Sequence, residues 1–322
     1  EGPIMRRFSF LLLSVFLFHS SGWAKIEPET YVYKTVGDLP ISLDVYQPEE
    51  GENRPVIVWI HGGALIIGSK VWIKQEQLKA YLDHGYVVVS IDYRLAPETK
   101  LPEIIADVRD ALIWVREKGP EMFGIDPNRM AVVGHSAGGY LTLMSGTLID
   151  PPPKALVSFY GYGDIVGEWY TEPDPFYLQQ DLVSREEAIA SVGNSEISGT
   201  TQTQERGKFY LYCRQTGLWP DEVGGVSQPD NPEFFEPFCP VRNVTKDYPP
   251  TLLIHGDQDT DVPVEQSLQM ESALRKAGVE VETMILKGKW HGFDSRGIEK
   301  DPVVREVFDR VFAFLEKHLA VH

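Results

Sequence analysis

Short, uniformly apolar segments alternate with segments of helical periodicity along most of this chain. Residues 56–60 read VIVWI, residues 86–91 read YVVVSI and residues 130–133 read MAVV. A run that is apolar at every position is typical of a strand buried on both faces, as in a parallel sheet covered by helices. Between these runs, apolar residues recur at intervals of three and four, which is the period of an amphipathic helix. The alternation predicts an α/β fold.

Eight strands are predicted in all, in a mostly parallel sheet with helices on both faces. The first two, at residues 30–36 and 41–47, flank a Gly-Asp-Leu-Pro turn and indicate an antiparallel hairpin at one edge. The remaining strands are predicted at residues 155–160, 251–254 and 280–286. Helices are predicted at residues 73–82, 102–118, 137–147, 263–277 and 302–318. Gly119 and Pro120 are expected to end the second of these helices.

A long segment, residues 162–248, separates the sixth predicted strand from the seventh. It contains 13 aromatic residues, so we expect it to bury a small core of its own. Ser184 and Glu187 have the spacing of a capping box, which predicts a helix that ends near Gly193. We interpret residues 162–248 as a helical lid inserted into a core formed by residues 25–161 and 249–322. An insertion without a role at the site is the alternative.

The first 24 residues have the organisation of a secretory signal. A basic start at Met5-Arg6-Arg7 precedes an apolar run at residues 8–18, and small residues at Gly22 and Ala24 follow. We expect cleavage after Ala24 and a secreted or periplasmic protein without a stable membrane anchor. A buried first helix is the alternative. Residues 1–4 precede the first methionine and are interpreted as a remnant of recombinant expression.

The net charge and the cysteine content limit which ligands and crosslinks are expected for this chain. The net charge is −17 at pH 7 and no long basic run is present, which argues against nucleic acid. Cys213 and Cys239 are the two cysteines, and a disulfide between them is slightly favoured over two buried thiols. No histidine or cysteine cluster accompanies them, so no metal is expected. The sequence does not indicate the oligomeric state.

A glycine-rich turn follows the third apolar run, where residues 132–139 read VVGHSAGG. A tight turn from a parallel strand into a helix places a side chain at the carboxyl edge of the sheet, where ligands bind in such folds. Ser136 is expected to be exposed there on a sharp elbow. The beginning of the next helix directs backbone N–H groups, notably that of Ala137, toward a developing negative charge.

A serine hydroxyl needs a general base and a carboxylate that orients the base. His291 follows the last predicted strand on a glycine-flanked loop and is the predicted base. Asp259 is the preferred carboxylate, Asp257 in the same loop is second, and Asp164 follows an earlier strand. No cofactor is required for such a site.

Donors for an oxyanion are predicted in the loop after residues 56–60, which reads His-Gly-Gly-Ala. The backbone N–H groups of Gly63 and Ala64, with that of Ala137, are the candidates. Trp72, Trp290 and Phe293 are predicted to contact the substrate, with a core position as the alternative for Trp72.

The segments HGGALIIGS, DYRLAPE, GHSAGG, HGDQDTDVP and WHGF occur in one order and spacing. Together they resemble the hormone-sensitive-lipase-like branch of the α/β-hydrolase-fold carboxylesterases, including acetyl esterases and lipases. The resemblance implies an α/β-hydrolase fold with a triad of Ser136, Asp259 and His291, and it selects Asp259 over its neighbours. His61 could be a base, but the resemblance favours a role in holding the loop after residues 56–60. Relatives often have a third glycine where this chain has Ala64, so activity on bulky alcohols is not expected.

The implied function is a secreted serine carboxylic ester hydrolase that forms an acyl-enzyme. The expected substrates are short-chain or small aryl esters, with acylated saccharides among the candidates. Two alternatives remain at this stage. One is a serine peptidase of the prolyl-oligopeptidase type, although the chain has no room for a propeller domain. The other is a ligand-binding homologue without activity, which the presence of His291 argues against.

Overall fold

The structure is a computed structural model and describes residues 26–49 and 51–320. The predicted signal segment and its cleavage site after Ala24 lie outside the described residues. Among the residues that are described, no helix has the length and apolar character needed to cross a bilayer.

An eight-stranded sheet forms the centre of the molecule, with the strand order β1-β2-β4-β3-β5-β6-β7-β8. β1 pairs with β2, and β2 with β4, in antiparallel fashion, whereas the other neighbours are parallel. The mostly parallel sheet with a mixed edge is therefore confirmed. The strands are β1 Glu29–Val36, β2 Leu39–Tyr46, β3 Arg54–Ile60, β4 Val87–Ile91, β5 Ile125–His135, β6 Ala155–Phe159, β7 Thr251–Gly256 and β8 Val281–Leu286.

Helices cover both faces of the sheet because successive side chains of a buried strand point to opposite sides. In β3, Val56, Val58 and Ile60 belong to one core cluster, and Ile57 and Trp59 belong to the other. Outside the chain between β6 and β7, three helices contribute to the first cluster: α2 Leu101–Phe123, α3 Ala137–Leu148 and α9 Glu265–Ala277. Two helices contribute to the second: α1 Gln75–Asp83 and α10 Pro302–Leu319.

Helix α2 is longer than predicted, because Gly119 and Pro120 lie inside it rather than at its end. A Cβ at Gly119 would lie 2.5 Å from a side-chain carbon of Ile125, so the glycine permits close packing. Pro120 removes one helix hydrogen bond, at a cost of about 3 kcal/mol. Phe123 and Ile125 are buried in the core, which offsets that cost. The helix ends at Gly124, whose φ of 64° gives a left-handed cap.

The chain between β6 and β7 forms five short helices: α4 Glu168–Thr171, α5 Arg185–Ala190, α6 Thr203–Thr216, α7 Trp219–Gly224 and α8 Pro232–Phe235. Helix α5 begins with the predicted capping box, in which Ser184 and Glu187 each bond the other's backbone N–H. The buried side chains of this segment, among them Tyr170, Phe209 and Trp219, belong to the same cluster as one face of the sheet. The prediction of a separate core is wrong, because the apolar side chains of this segment pack in the core cluster on one face of the sheet.

The two cysteines are free and buried, so the favoured disulfide is also wrong. The Cys213 thiol lies in the apolar core, in helix α6. The Cys239 thiol instead faces the carboxylate of Asp164, with a distance of 3.6 Å between Sγ and Oδ1. Burial raises the pKa of both thiols, that of Cys239 to about 12.

Candidate active site

Ser136 occupies a strained turn between β5 and α3, with φ 57° and ψ −121°. Two glycines make this turn possible. A Cβ at Gly138 would lie 2.1 Å from the carbonyl oxygen of Ile60, and one at Gly134 would lie 2.2 Å from the carbonyl oxygen of Gly138. The Ser136 N–H donates to the carbonyl of Phe159 at 2.9 Å, which ties the elbow to the neighbouring strand β6. Such strain is typical of functional positions.

The structure brings Ser136, His291 and Asp259 together from three separate segments. The Ser136 hydroxyl lies 3.0 Å from Nε2 of His291. On the other side of the ring, Nδ1 lies 2.7 Å from Oδ2 of Asp259. The carboxylate therefore places the ring proton on Nδ1 and leaves the lone pair of Nε2 directed at the serine. This arrangement can activate a hydroxyl as a nucleophile.

Asp259 is held by a full set of donors. Its Oδ1 accepts the backbone N–H groups of Asp261 and Val262, each at 2.9 Å. Its Oδ2 lies 3.2 Å from Nε2 of His255, a buried histidine whose Nδ1 bonds the hydroxyl of Ser267. Burial raises the pKa of Asp259, but these donors and His291 more than offset it, so the pKa lies well below its ordinary value of 3.8. The carboxylate is ionised throughout the neutral range.

The pKa of His291 is set by opposing effects. Burial lowers it, whereas the carboxylates of Asp261 and Asp259 raise it, and the net result is a pKa above the ordinary value of 6.5. The ring of Tyr160 packs against the imidazole with 4.6 Å between ring centroids. The two nearby carboxylates thus stabilise the imidazolium of His291, which is the form that a histidine general base takes after it accepts a proton.

The other two acid candidates lie elsewhere. Asp257 accepts the backbone N–H of Gly288 through its Oδ1 at 2.6 Å. Asp164 accepts the N–H of Val166 at 3.1 Å and pairs with Arg242 at 3.2 Å. Among the described contacts, neither carboxylate engages His291.

The loop after β3 has the backbone conformation that the predicted oxyanion donors require. Gly63 has φ 105° and Ala64 has φ 57°, and a Cβ at Gly63 would lie 2.1 Å from the carbonyl oxygen of Ile67. Within the described part of the chain, no hydrogen bond occupies the N–H of Gly63, Ala64 or Ala137. Gly63, Ala64 and Ser136 line one cavity. These donors are free to receive an oxyanion.

His61 stabilises this loop. Its ring stacks on Tyr93 with 4.3 Å between centroids, and its Nδ1 lies 2.8 Å from the carbonyl oxygen of Gly62. Burial lowers the pKa of His61 to about 4, so the ring is neutral. It has no contact with Ser136 among the described hydrogen bonds, which agrees with the favoured holding role.

The segment between β6 and β7 clamps the same loop. The indole N–H of Trp219 donates to the carbonyl of Ala64 at 3.1 Å, and Nε of Arg206 donates to the carbonyl of Ile66 at 2.8 Å. Arg206 also forms a bidentate pair with Glu98, with both distances 2.7 Å. Glu98 belongs to the DYRLAPE segment, whose role here is to anchor the inserted helices.

The cavity in front of Ser136 has a volume of about 670 Å³. Trp72 lines it, as predicted, together with Trp59, Ile67, Val71 and Ile73. The predicted contacts of Trp290 and Phe293 are corrected by the structure. Neither lines the cavity: Phe293 is fully buried in the second core cluster, and the half-exposed ring of Trp290 is covered by the guanidinium of Arg296.

Sequence reasoning missed two carboxylates that line the cavity, Asp261 and Asp294. Asp294 accepts bonds from Gln77 and Tyr160 at 2.7 and 2.6 Å and lies 3.3 Å from Nε2 of His135. Burial raises its pKa, but these partners hold it well below the ordinary value. Asp261 stands in the same loop as Asp259, and that crowding was the available signal. No group of three or more potential metal ligands occurs among the described residues.

Comparison with known proteins agrees with this architecture. The family model BD-FAE matches residues 43–274, which include Ser136 and Asp259. An α/β-hydrolase superfamily protein from Enterococcus faecalis superposes with a TM-score of 0.71 at 23% identity, over 91% of this chain and 100% of that chain. Est2, an esterase from Thermogutta terrifontis, superposes with a TM-score of 0.62 at 24% identity, over 90% of this chain and 92% of that chain. These likenesses show the fold.

Curated relatives include much larger proteins. The non-reducing polyketide synthase ausA of Aspergillus calidoustus is 30% identical over 352 aligned residues, which cover 91% of this chain. The chain spans 14% of that relative's length. Because the BD-FAE match covers most of the chain, the chain belongs to the BD-FAE family and is an esterase-like α/β-hydrolase.

Proposed function

We propose that this protein is a serine carboxylic ester hydrolase that works through an acyl-enzyme. The observation that carries the proposal is the unbroken line of contacts from Ser136 through His291 to Asp259, beside free backbone donors. An arrangement that only bound ligand would need neither the strained serine nor the ionised, fully bonded carboxylate. The fold and the family provide the context.

In the proposed mechanism, Ser136 attacks the ester carbonyl while Nε2 of His291 takes its proton. Asp259 keeps the imidazole in the required tautomer and stabilises the imidazolium. The N–H groups of Gly63, Ala64 and Ala137 receive the oxyanion, each donor being worth about 10²- to 10³-fold in rate. His291 then protonates the leaving alcohol, and a water that it activates releases the acid.

We propose short-chain or small aryl esters as substrates. The cavity of about 670 Å³ has the size of a small-molecule site, and Trp59, Trp72 and Ile73 give its lining an apolar part. Structures of the related-fold esterase Est2 have been solved with propionate and with butyrate bound, which supports short acyl groups. From the signal-like residues 1–24 we also propose export to the periplasm or the medium.

The test is hydrolysis of p-nitrophenyl esters from acetate to decanoate by the wild type, Ser136→Ala and His291→Gln. We expect activity on the shorter chains, and its loss in both variants while circular dichroism stays unchanged. A folded wild type that hydrolyses none of these esters would overturn the proposal. Cleavage of a prolyl peptide substrate would then indicate a peptidase, and ligand binding without turnover a receptor.

A further inference from the structure

The carboxylate of Asp261 lies beside the catalytic nitrogen proposed above. Its Oδ2 is 3.4 Å from Nε2 of His291, the nitrogen that also contacts the Ser136 hydroxyl. The side chain is 20% exposed and lines the cavity. Its backbone N–H bonds Asp259, so the position of the residue is fixed relative to the triad.

Side chains of the inserted segment fix the orientation of the Asp261 carboxylate. Its Oδ1 accepts the hydroxyls of Tyr177 and Tyr210. Nη1 of Arg214 donates to the Asp261 carbonyl at 2.8 Å and lies 3.4 Å from Oδ1. Arg214 is itself buried, pairs with Asp174 and lies over the rings of four aromatic residues, Trp169, Tyr170, Tyr177 and Tyr210. With Oδ1 held in this way, Oδ2 is left for the cavity.

No N–H or O–H group of the described residues donates to Oδ2 while the His291 ring is neutral. Among the described residues its one polar contact is Nε2 of His291. That nitrogen carries a lone pair in the neutral ring, because the ring proton is on Nδ1. Because Asp261 lines the cavity, Oδ2 can accept a hydrogen bond from a ligand bound there.

We infer that Asp261 selects esters whose alcohol part carries a hydrogen-bond donor, a hydroxyl or an ammonium, on the second carbon from the ester oxygen. The inference rests on the proposed function. His291 has to bring its Nε2 proton to the alkoxy oxygen of the leaving alcohol, so that oxygen sits beside Nε2. Oδ2 of Asp261 lies beside the same nitrogen, which puts it within reach of a substituent on the second carbon of the alcohol. The carbonyl oxygen of the same ester faces the donors of Gly63, Ala64 and Ala137.

The experiment compares two butyrate esters of equal size, 2-hydroxyethyl butyrate and propyl butyrate. Both give the same acyl-enzyme, so deacylation is common to them and kcat/KM reports the alcohol part alone. A hydrogen bond to a charged group changes binding by about 10- to 100-fold. We expect the wild type to prefer the hydroxylated ester by about tenfold or more, and Asp261→Asn and Asp261→Ala to lose most of that preference.

Using the ratio of the two esters removes effects on His291 itself, since any change in its basicity alters both rates together. Asp257→Asn is the matched control, because Asp257 is in the same loop but bonds Gly288 instead of facing the cavity. It should keep the wild-type ratio. Tyr210→Phe removes one hydroxyl that orients Asp261, and we expect a smaller loss of preference.

A third ester, 2-(dimethylammonio)ethyl butyrate, separates the two donor chemistries. A higher kcat/KM than for the hydroxylated ester would identify an ammonium as the preferred donor, and a lower value a hydroxyl. A wild-type ratio near one for both donor esters, or a preference that survives in Asp261→Asn and Asp261→Ala, would overturn the inference. If the wild type leaves all three esters intact, or Ser136→Ala still hydrolyses them, the proposed function fails instead.

Discussion

The bond between Trp219 and the Ala64 carbonyl links the inserted helices to the predicted oxyanion donor, and Trp219→Phe breaks it. Trp219 is fully buried and stacks on Tyr170 with 4.3 Å between ring centroids. Phenylalanine keeps most of the stacking surface but has no N–H. The Ala64 carbonyl then loses its donor, which costs about 1–3 kcal/mol in the free energy of unfolding when the group is buried.

The effect on turnover should exceed what this loss of stability implies. Ala64 contributes its carbonyl to Trp219 and its N–H to the proposed oxyanion site, so movement of the freed peptide after Ala64 shifts that N–H through the shared Cα. Loss of one such donor costs about 10²- to 10³-fold in kcat, and partial misplacement should cost less. We therefore expect kcat to fall by roughly 10- to 100-fold, with little change in KM.

Trp169→Phe is the matched control for this prediction. Trp169 is in the same inserted segment, stacks on Tyr170 at 3.6 Å and donates its indole N–H to the carbonyl of Asp164 at 3.0 Å. Trp169→Phe therefore loses the same kind of hydrogen bond, from an indole N–H to a carbonyl, at a position away from the oxyanion loop. Urea unfolding and steady-state kinetics on p-nitrophenyl acetate measure both variants. If the two lower stability alike and Trp219→Phe keeps the kcat of Trp169→Phe, the link between the inserted helices and the oxyanion loop is refuted.

Three further predictions follow from the site and the core. Asp259→Asn should lower kcat by about 10⁴-fold with unchanged circular dichroism, because the amide no longer fixes the tautomer of His291; a fall below tenfold would contradict this role. Nearby carboxylates raise the pKa of His291, and the base must be neutral to accept a proton, so kcat/KM should rise with pH through a midpoint above 6.5. A pH–rate profile with a midpoint below 6.5 would be inconsistent with that environment. Cys213 and Cys239 are free and buried, so they should react with Ellman's reagent in denaturant without prior reduction and stay unreactive in the native protein. A denatured chain with no reactive thiol would instead show that the two cysteines form a disulfide.

The sheet and the serine elbow could be predicted because their signals are local. A strand buried on both faces is apolar at every position, and the turn at Ser136 needs glycines at fixed positions around it. His291 follows from its place after the last strand. The structure brings Ser136, His291 and Asp259 together as that reasoning expected, and their chemical roles remain a proposal.

The parts that the sequence did not reveal depend on which surfaces meet. Asp257, Asp259 and Asp261 alternate along one loop, and only the turn geometry decides which oxygens reach His291. Aromatic residues in an insertion predict that apolar surface is buried, but the same composition would serve a separate core or a shared one. A glycine followed by proline near a helix end, as at Gly119, is read as a stop unless the neighbouring side chain that needs the space is known.

The shared core has a consequence for how this protein can be altered. Because Phe209 and Trp219 pack in the same apolar cluster as the strands, the inserted segment is part of the core and cannot move as a separate rigid lid. Replacing it as a block would expose the sheet, so heat or denaturant should melt the insertion and the sheet in one cooperative transition. Room for variation lies in its exposed turns, where Phe176 and Leu182 already face solvent.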